Sequence, residues 1–201
     1  HYPLRRQRQM CIRDSMPTVP LVLNELAHAT QHMALAFQAV HAGSENERFE
    51  LVGVQSIIPD KNLFLAPDDR WLIGYRPAFY RSHPFALMTN PESKQVELSI
   101  DENHIADAPT DESPRLFDEE GTLTEQLRDV VEFLGQTLQS RGKTLALCKE
   151  LQDAGLITPW AIKFTGKDNQ DESQIRTLQG LSHINPKALR ELDSDTLARL
   201  N

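Results

Sequence analysis

The alternation of apolar and polar residues is clearest in the stretch VELSI at residues 96–100. A period of two residues predicts a β-strand with one apolar face. The apolar run FALMTN at residues 85–90 lies just before it, and the turn-forming stretch PES at residues 91–93 joins the two. Together these segments predict a β-hairpin.

Other short apolar runs between turn-forming residues predict further strands. In the run RFELVGVQSII both strand faces are apolar, so we expect a strand that is covered on both sides. The strands predicted outside the hairpin lie at residues 34–40, 48–58, 160–164 and 173–181, and two short strands joined by a turn are predicted within residues 62–77.

Helical periodicity is strongest after residue 121. Thr122 and Glu125 have the spacing of a capping box, which predicts that a helix begins here. Apolar residues then recur at intervals of three and four, namely Leu123, Leu127, Val130, Val131, Leu134 and Leu138. We expect Gly142 to end this helix, because glycine disfavours the helix interior.

A second helix is predicted at residues 145–154, and the two helices would form a hairpin. Shorter helices are predicted at residues 21–32, within residues 77–84 and, as a pair, at residues 186–200. Because strands and helices do not alternate regularly, the predicted fold class is α+β, with a mainly antiparallel sheet and a helical hairpin packed against it.

The first fifteen residues differ from the rest in charge. The whole chain has 21 basic and 29 acidic residues, yet Arg5, Arg6, Arg8 and Arg13 are clustered near its start. The stretch RRQRQMCIRD resembles the translation of a transposase-based sequencing adapter, so residues 1–15 are predicted to be a non-native segment. Residues 16–201 are then expected to form a single domain, truncated at both ends.

Without residues 1–15 the chain has 17 basic and 28 acidic residues, a net charge of −11. A protein with this negative charge repels phosphate backbones and anionic lipids, so nucleic acid and membrane surfaces are not expected partners. No apolar run reaches the roughly 20 residues that span a bilayer. The sequence shows no secretory signal, so the expected location is cytoplasmic, or the cell surface if a signal was lost by truncation.

The sequence contains few motifs that are typical of catalysis or cofactor binding. It lacks the glycine-rich nucleotide-binding motifs and the nucleophile elbow. Cys148 is the only cysteine after residue 15 and falls on the apolar side of its predicted helix, where we expect a core residue. We therefore predict no catalytic residue and no cofactor.

The stretch RWLIGYRPAFYRSHPFAL at residues 70–87 interleaves aromatic residues with arginines. On one interpretation the aromatic rings form the core of the sheet. On the other, the stretch is a recognition surface for a planar or sugar-like ligand, a saccharide or another protein. The residues predicted for that surface are Arg70, Trp71, Tyr75, Arg76, Arg81 and Asp101.

Two other groups of residues suggest metal ligands. His28 and His32 are four residues apart, as in zinc-binding helices, but an alanine replaces the usual catalytic glutamate. Residues 101–121 contain eight acidic residues, which favours a solvated acidic surface. The alternative for this segment is a metal site formed by Asp101, His104 and Asp118, the basis of a metal-dependent enzyme.

Much of the chain resembles the bacterial SapC family. The segments that carry the resemblance are VPLV at 19–22, RFELVGV at 48–54, NLFL and DDRWLIGYRPAFYRSHPFAL within 62–87, LSIDEN at 98–103, LFDEEG at 116–121, LQDAGLITPWAIKF at 151–164 and GLSHINPKALRELDSDTLARL at 180–200. Family members tend to have a cysteine where this sequence has Ser99, so a role for that thiol is not expected here.

The resemblance implies a function but no catalytic motif. The family takes its name from an association with the surface layer (S-layer) of bacteria, and its biochemical activity is undefined. We therefore expect a non-enzymatic bacterial accessory or binding protein. The metal-dependent enzyme around residues 101–118 is the alternative.

Overall fold

The computed structural model describes residues 15–68, 70–105, 115–166 and 174–200. The predicted non-native segment, apart from Ser15, lies outside the described residues. The same holds for much of the acidic segment and for residues 167–173, which follow the predicted strand at 160–164.

The described residues form an α+β fold in which the paired strands are antiparallel, as predicted. The strands are β1 (Thr18–Pro20), β2 (Ala34–Val40), β3 (Arg48–Val54), β4 (Phe85–Thr89), β5 (Val96–Ile100), β6 (Ile157–Pro159), β7 (Ile162–Gly166), β8 (Gln174–Leu178) and β9 (Leu181–Ile184). The central sheet has five of them in the order β1-β3-β2-β9-β6, and two separate hairpins are formed by β4-β5 and β7-β8.

The α-helices of the described residues differ greatly in length. They are α1 (Leu26–Ala29), α2 (Ala78–Arg81), α3 (Glu125–Asp153), α4 (Pro186–Arg190) and α5 (Ser194–Arg199), and a single 3-10 turn at Leu23–Glu25 leads into α1. The Asp193 side chain accepts the Thr196 N–H at 2.8 Å and so caps the start of α5. None of the helices that the structure describes has both the length and the apolar character needed to cross a membrane.

The predicted helical hairpin is instead one continuous helix. Helix α3 runs through Gly142, whose exposed position costs about 1 kcal/mol in helix propensity. The buried face of the helix continues on both sides of that glycine, with Ser140 before it and Thr144 and Cys148 after it. Packing of this face therefore outweighs the local preference of glycine.

The start of α3 also differs from the capping-box prediction. Thr124, not Thr122, is the N-cap, and its hydroxyl accepts the Leu127 N–H at 3.4 Å. Thr122 instead donates its hydroxyl to Asp118, whose carboxylate also accepts the N–H groups of Thr122 and Glu120. A turn closed by Asp118 therefore precedes the helix.

The two short strands predicted within residues 62–77 were wrong. Among the described residues of this segment, the strand pairing is reduced to an isolated bridge between Leu65 and Trp71, flanked by two backbone hydrogen bonds. The turn at Pro67 and Asp68 is present, but the indole of Trp71 packs against the core and donates to the Tyr75 carbonyl at 2.8 Å. That contact joins the chain just after the turn to Tyr75, three residues before α2.

The main core lies between the sheet and α3. Its buried residues are Val19, Leu21, Ala29, Met33, Leu51, Tyr80 and Cys148. Burial raises the pKa of the Cys148 thiol to about 11, so this cysteine is a protonated core residue at neutral pH, as its helical position predicts. Within the 70–87 stretch, Tyr80 belongs to this cluster and Trp71 packs against it, which supports the core interpretation for these two rings.

The opposite face of the sheet has a smaller core of Ala36, Val52 and Leu181. Strand β3 therefore buries side chains on both faces, as its sequence predicts. A β-carbon at Gly53 would meet the Met33 sulfur, so a larger residue at this position in β3 would displace the Met33 side chain.

Replacing Leu156 by alanine tests the packing beyond the end of α3. The side chain is 0% exposed, so Leu156→Ala should lower the free energy of unfolding by about 2–5 kcal/mol in urea titrations. Leu197, in α5, is 54% exposed, and Leu197→Ala is the matched control with a much smaller expected effect. Equal losses in the two variants would contradict this assignment of the core.

Candidate functional site

A cleft of about 420 Å³ lies between the 3-10 turn, helix α2 and the middle of α3. We refer to it as the Tyr75 cleft. Its lining residues are Val22, Asn24, Glu25, His28, Tyr75, Ala78, Arg81, Phe133, Gln136 and Thr137. The lining combines two aromatic rings with amide, hydroxyl, guanidinium and imidazole groups, so the cleft is suited to a polar partner with several hydrogen-bonding groups.

Glu25 forms the floor of this cleft and is only 4% exposed. One carboxylate oxygen accepts the Tyr75 hydroxyl at 2.8 Å and the Ala78 N–H at 2.6 Å. The other accepts the Val22 N–H at 3.0 Å. Three donors therefore compensate the loss of hydration that this buried carboxylate suffers.

The turn that carries Glu25 is fixed to α3 by two hydroxyl groups. The Leu23 N–H donates to the Thr144 hydroxyl at 3.0 Å, and the Asn24 N–H donates to the Ser140 hydroxyl at 3.2 Å. Both N–H groups belong to the first turn of a helix, where no intrahelical acceptor is available. Helix α3 thus holds the position of one wall of the cleft.

Tyr75 lies across the cleft with its ring stacked on His28, at a centroid distance of 5.7 Å. Burial, and then the hydrogen bond to the Glu25 carboxylate, raises the pKa of Tyr75 to about 12. Arg81 acts in the opposite direction but has less influence. The hydroxyl therefore remains a donor to Glu25 at every physiological pH.

Arg81 is the exposed charged group of the cleft. Its guanidinium lies 4.8 Å from the centre of the Phe133 ring and 5.8 Å from that of Tyr75. Its Nη2 also donates to the Tyr75 hydroxyl at 3.4 Å. These contacts hold the planar guanidinium against aromatic rings while it stays accessible to solvent.

The structure brings together only part of the predicted recognition surface. Tyr75 and Arg81 line the cleft, whereas Trp71 packs into the main core. Arg70 is exposed and lies 3.5 Å from the Asp68 carboxylate. The remaining two, Arg76 and Asp101, are not part of the cleft lining; Arg76 is exposed, and Asp101 contacts a histidine.

Asp101 belongs to a second cluster, together with His83 and His104. One ligand atom from each of the three residues lies within 4.8 Å of the others. The two histidine Nε2 atoms are 3.2 Å apart, and His104 Nδ1 lies 3.9 Å from an Asp101 carboxylate oxygen. Asp118, the third ligand in the sequence-based alternative, is not in this cluster, because it closes the turn before α3.

The predicted histidine pair on α1 has a different environment. His28 stacks on Tyr75, and the His32 ring lies against Gly74, where a β-carbon would come within 2.6 Å of it. Both rings therefore pack on the segment before α2. Among the described residues, the group of possible metal ligands does not include either of them.

Sequence reasoning missed Glu25, Phe133 and His83. A glutamate in a short apolar helix looks like an exposed residue, and only the tertiary fold shows that three donors surround it. Phe133 lies between apolar positions of α3 and therefore reads as core. The paired Ser140 and Thr144 were the available signal, because two hydroxyls four residues apart on a buried helix face require backbone partners.

The comparison with protein families gives one match, a family model with the description SapC that covers residues 1–201. No curated protein and no solved structure matches the chain.

The raised pKa of Tyr75 predicts a loss of stability at high pH. The folded state favours the neutral hydroxyl, so its contribution is complete below about pH 10 and is lost as the pH rises through about 12. Urea unfolding over this range should show a steeper decline in the free energy of unfolding for the wild type than for Tyr75→Phe.

Glu25→Gln should lower the pKa of Tyr75, as measured by tyrosinate absorbance.

The difference in the pH dependence of unfolding between the wild type and Tyr75→Phe isolates the contribution of the Tyr75 hydroxyl, because the two proteins have the same lysines and arginines. Identical pH dependence in the two proteins would show that Tyr75 has the same pKa folded and unfolded.

Proposed function

Because the chain belongs to the SapC family, we propose that it is a non-enzymatic bacterial accessory protein that binds a component of the surface layer through the Tyr75 cleft. The link to the surface layer comes from the association that gives the family its name. The observation that carries the proposed binding site is Arg81, an exposed cation fixed between two rings at the mouth of a polar cleft.

The cleft is preorganised for binding. Glu25 has its donors within the protein, and the 3-10 turn is bonded to α3, so the floor does not need to rearrange when a partner binds. Arg81 is held by ring contacts that reduce its rotational freedom. Preorganisation of this kind lowers the entropic cost of association.

The lining chemistry favours a saccharide. Asn24, Gln136 and Thr137 provide amide and hydroxyl groups that donate and accept, and Arg81 provides a fork of donors. Glu25, the acidic group of the lining, is buried and occupied by three donors. A hydroxyl-rich partner can satisfy such a set of groups without bringing a large charge of its own.

Replacing Arg81 tests this proposal. In cosedimentation with isolated surface-layer sheets from the bacterium that encodes the chain, Arg81→Ala should weaken binding by about tenfold or more, since a hydrogen bond to a charged group contributes about 1.5–3 kcal/mol. Arg76→Ala removes an exposed arginine two residues before α2, outside the cleft, and should bind like the wild type.

The nature of the partner is tested with enzymatically deglycosylated sheets. Loss of wild-type binding to these sheets supports a saccharide, and unchanged binding assigns recognition to protein. If Arg81→Ala and Arg76→Ala bind as well as the wild type, the cleft is not the recognition surface. Thermal unfolding of each variant shows whether a weaker interaction reflects a loss of fold.

A further inference from the structure

We propose that His83, Asp101 and His104 form a Zn²⁺-binding site at the end of the β4-β5 hairpin. This site is separate from the lining of the Tyr75 cleft and does not depend on the proposed function. Two imidazoles and one carboxylate suit zinc or a similar borderline cation, whereas calcium and magnesium prefer oxygen ligands.

The backbone brings the three residues together from distant positions in the sequence. Phe85 pairs with Ile100 at the end of the hairpin, and the Asp101 N–H donates to the Pro84 carbonyl at 2.9 Å. The residue before Pro84 is therefore adjacent to Asp101. A single 3-10 turn follows at Glu102–His104, and in it the His104 N–H donates to the Asp101 carbonyl at 2.9 Å. This turn brings His104 back beside Asp101 and His83.

The spacing of the two imidazoles fits a shared ion. Two nitrogens bound to tetrahedral zinc at 2.0–2.1 Å are about 3.3 Å apart, which follows from the tetrahedral angle. The His83 and His104 Nε2 atoms are 3.2 Å apart, and their ring planes are perpendicular. The nitrogens are therefore already at the separation that an ion between them would impose.

Electrostatics also favours a cation at this position. The two ring nitrogens are within hydrogen-bonding distance at 3.2 Å, and a metal ion bound by both can take the place of that hydrogen bond. The Asp101 carboxylate, with one oxygen 3.9 Å from His104 Nδ1, places a negative charge beside the two rings.

The described part of the chain provides three ligands for such an ion. His104 is exposed, and His83 and Asp101 are partly buried. Bound zinc would link the end of the hairpin to the 3-10 turn. The sequence-based alternative contained two of these ligands, Asp101 and His104, and the fold supplies His83 in place of Asp118.

Calorimetric titration of the untagged full chain with Zn²⁺ tests the site. The wild type should bind one ion with high affinity at this cluster, and His104→Asn should weaken that binding by about tenfold or more. His41→Asn is the matched control, because His41 is exposed, lies outside the cluster and has a φ of 57°, which asparagine tolerates. It should bind zinc like the wild type.

Two further measurements keep the result decisive. His83→Asn removes a ligand from the other side of the cluster and should reproduce the loss, and Zn²⁺ should raise the thermal unfolding midpoint of the wild type more than that of either ligand variant. Absence of zinc binding by the wild type would overturn the proposal. So would equal affinities in the wild type, His83→Asn and His104→Asn, because the ion would then be bound elsewhere.

Discussion

Burial of the Glu25 carboxylate is the constraint on which the arrangement around the cleft depends. A carboxylate that is 4% exposed must have hydrogen-bond donors in place, because the loss of its hydration is costly. Its donors come from its own turn and from the segment of Tyr75 and Ala78. One side chain thus connects the 3-10 turn to the aromatic stretch, and Ser140 and Thr144 fix the same turn to α3.

The segment from Tyr75 to His83 serves two regions of the surface. Tyr75 and Ala78 donate to Glu25 and Arg81 lines the cleft, whereas the last residue, His83, lies beside Asp101 at the end of the hairpin. Such a short piece of chain can do both because α2 has only four residues and β4 begins at Phe85. Hydrogen bonds to the Glu25 carboxylate fix the first region, and the backbone hydrogen bond from Asp101 to Pro84 fixes the second.

The elements with a clear local period could be predicted from the sequence. The alternation in β5, the apolar run of β2 and the long helical stretch of α3 appear at or near the predicted positions, but within the predicted apolar stripe Leu123 precedes the helix and Leu138 is 42% exposed. The predicted helix end at Gly142 was wrong. Glycine disfavours a helix only locally, and the burial of Ser140, Thr144 and Cys148 on the same helix outweighs that effect. Tyr75 and Arg81 could be chosen from composition, but the role of Glu25 depends on contacts across 50 and 53 residues.

The two edges of the central sheet have a consequence for how the protein behaves at high concentration. Strands β1 and β6 form these edges; each has three residues and ends in a proline, Pro20 or Pro159. Proline has no N–H to offer to an incoming strand, and so short an edge exposes few unpaired backbone groups. The sheet is therefore protected against lateral growth, the route by which flat, open sheets recruit further copies into fibrils.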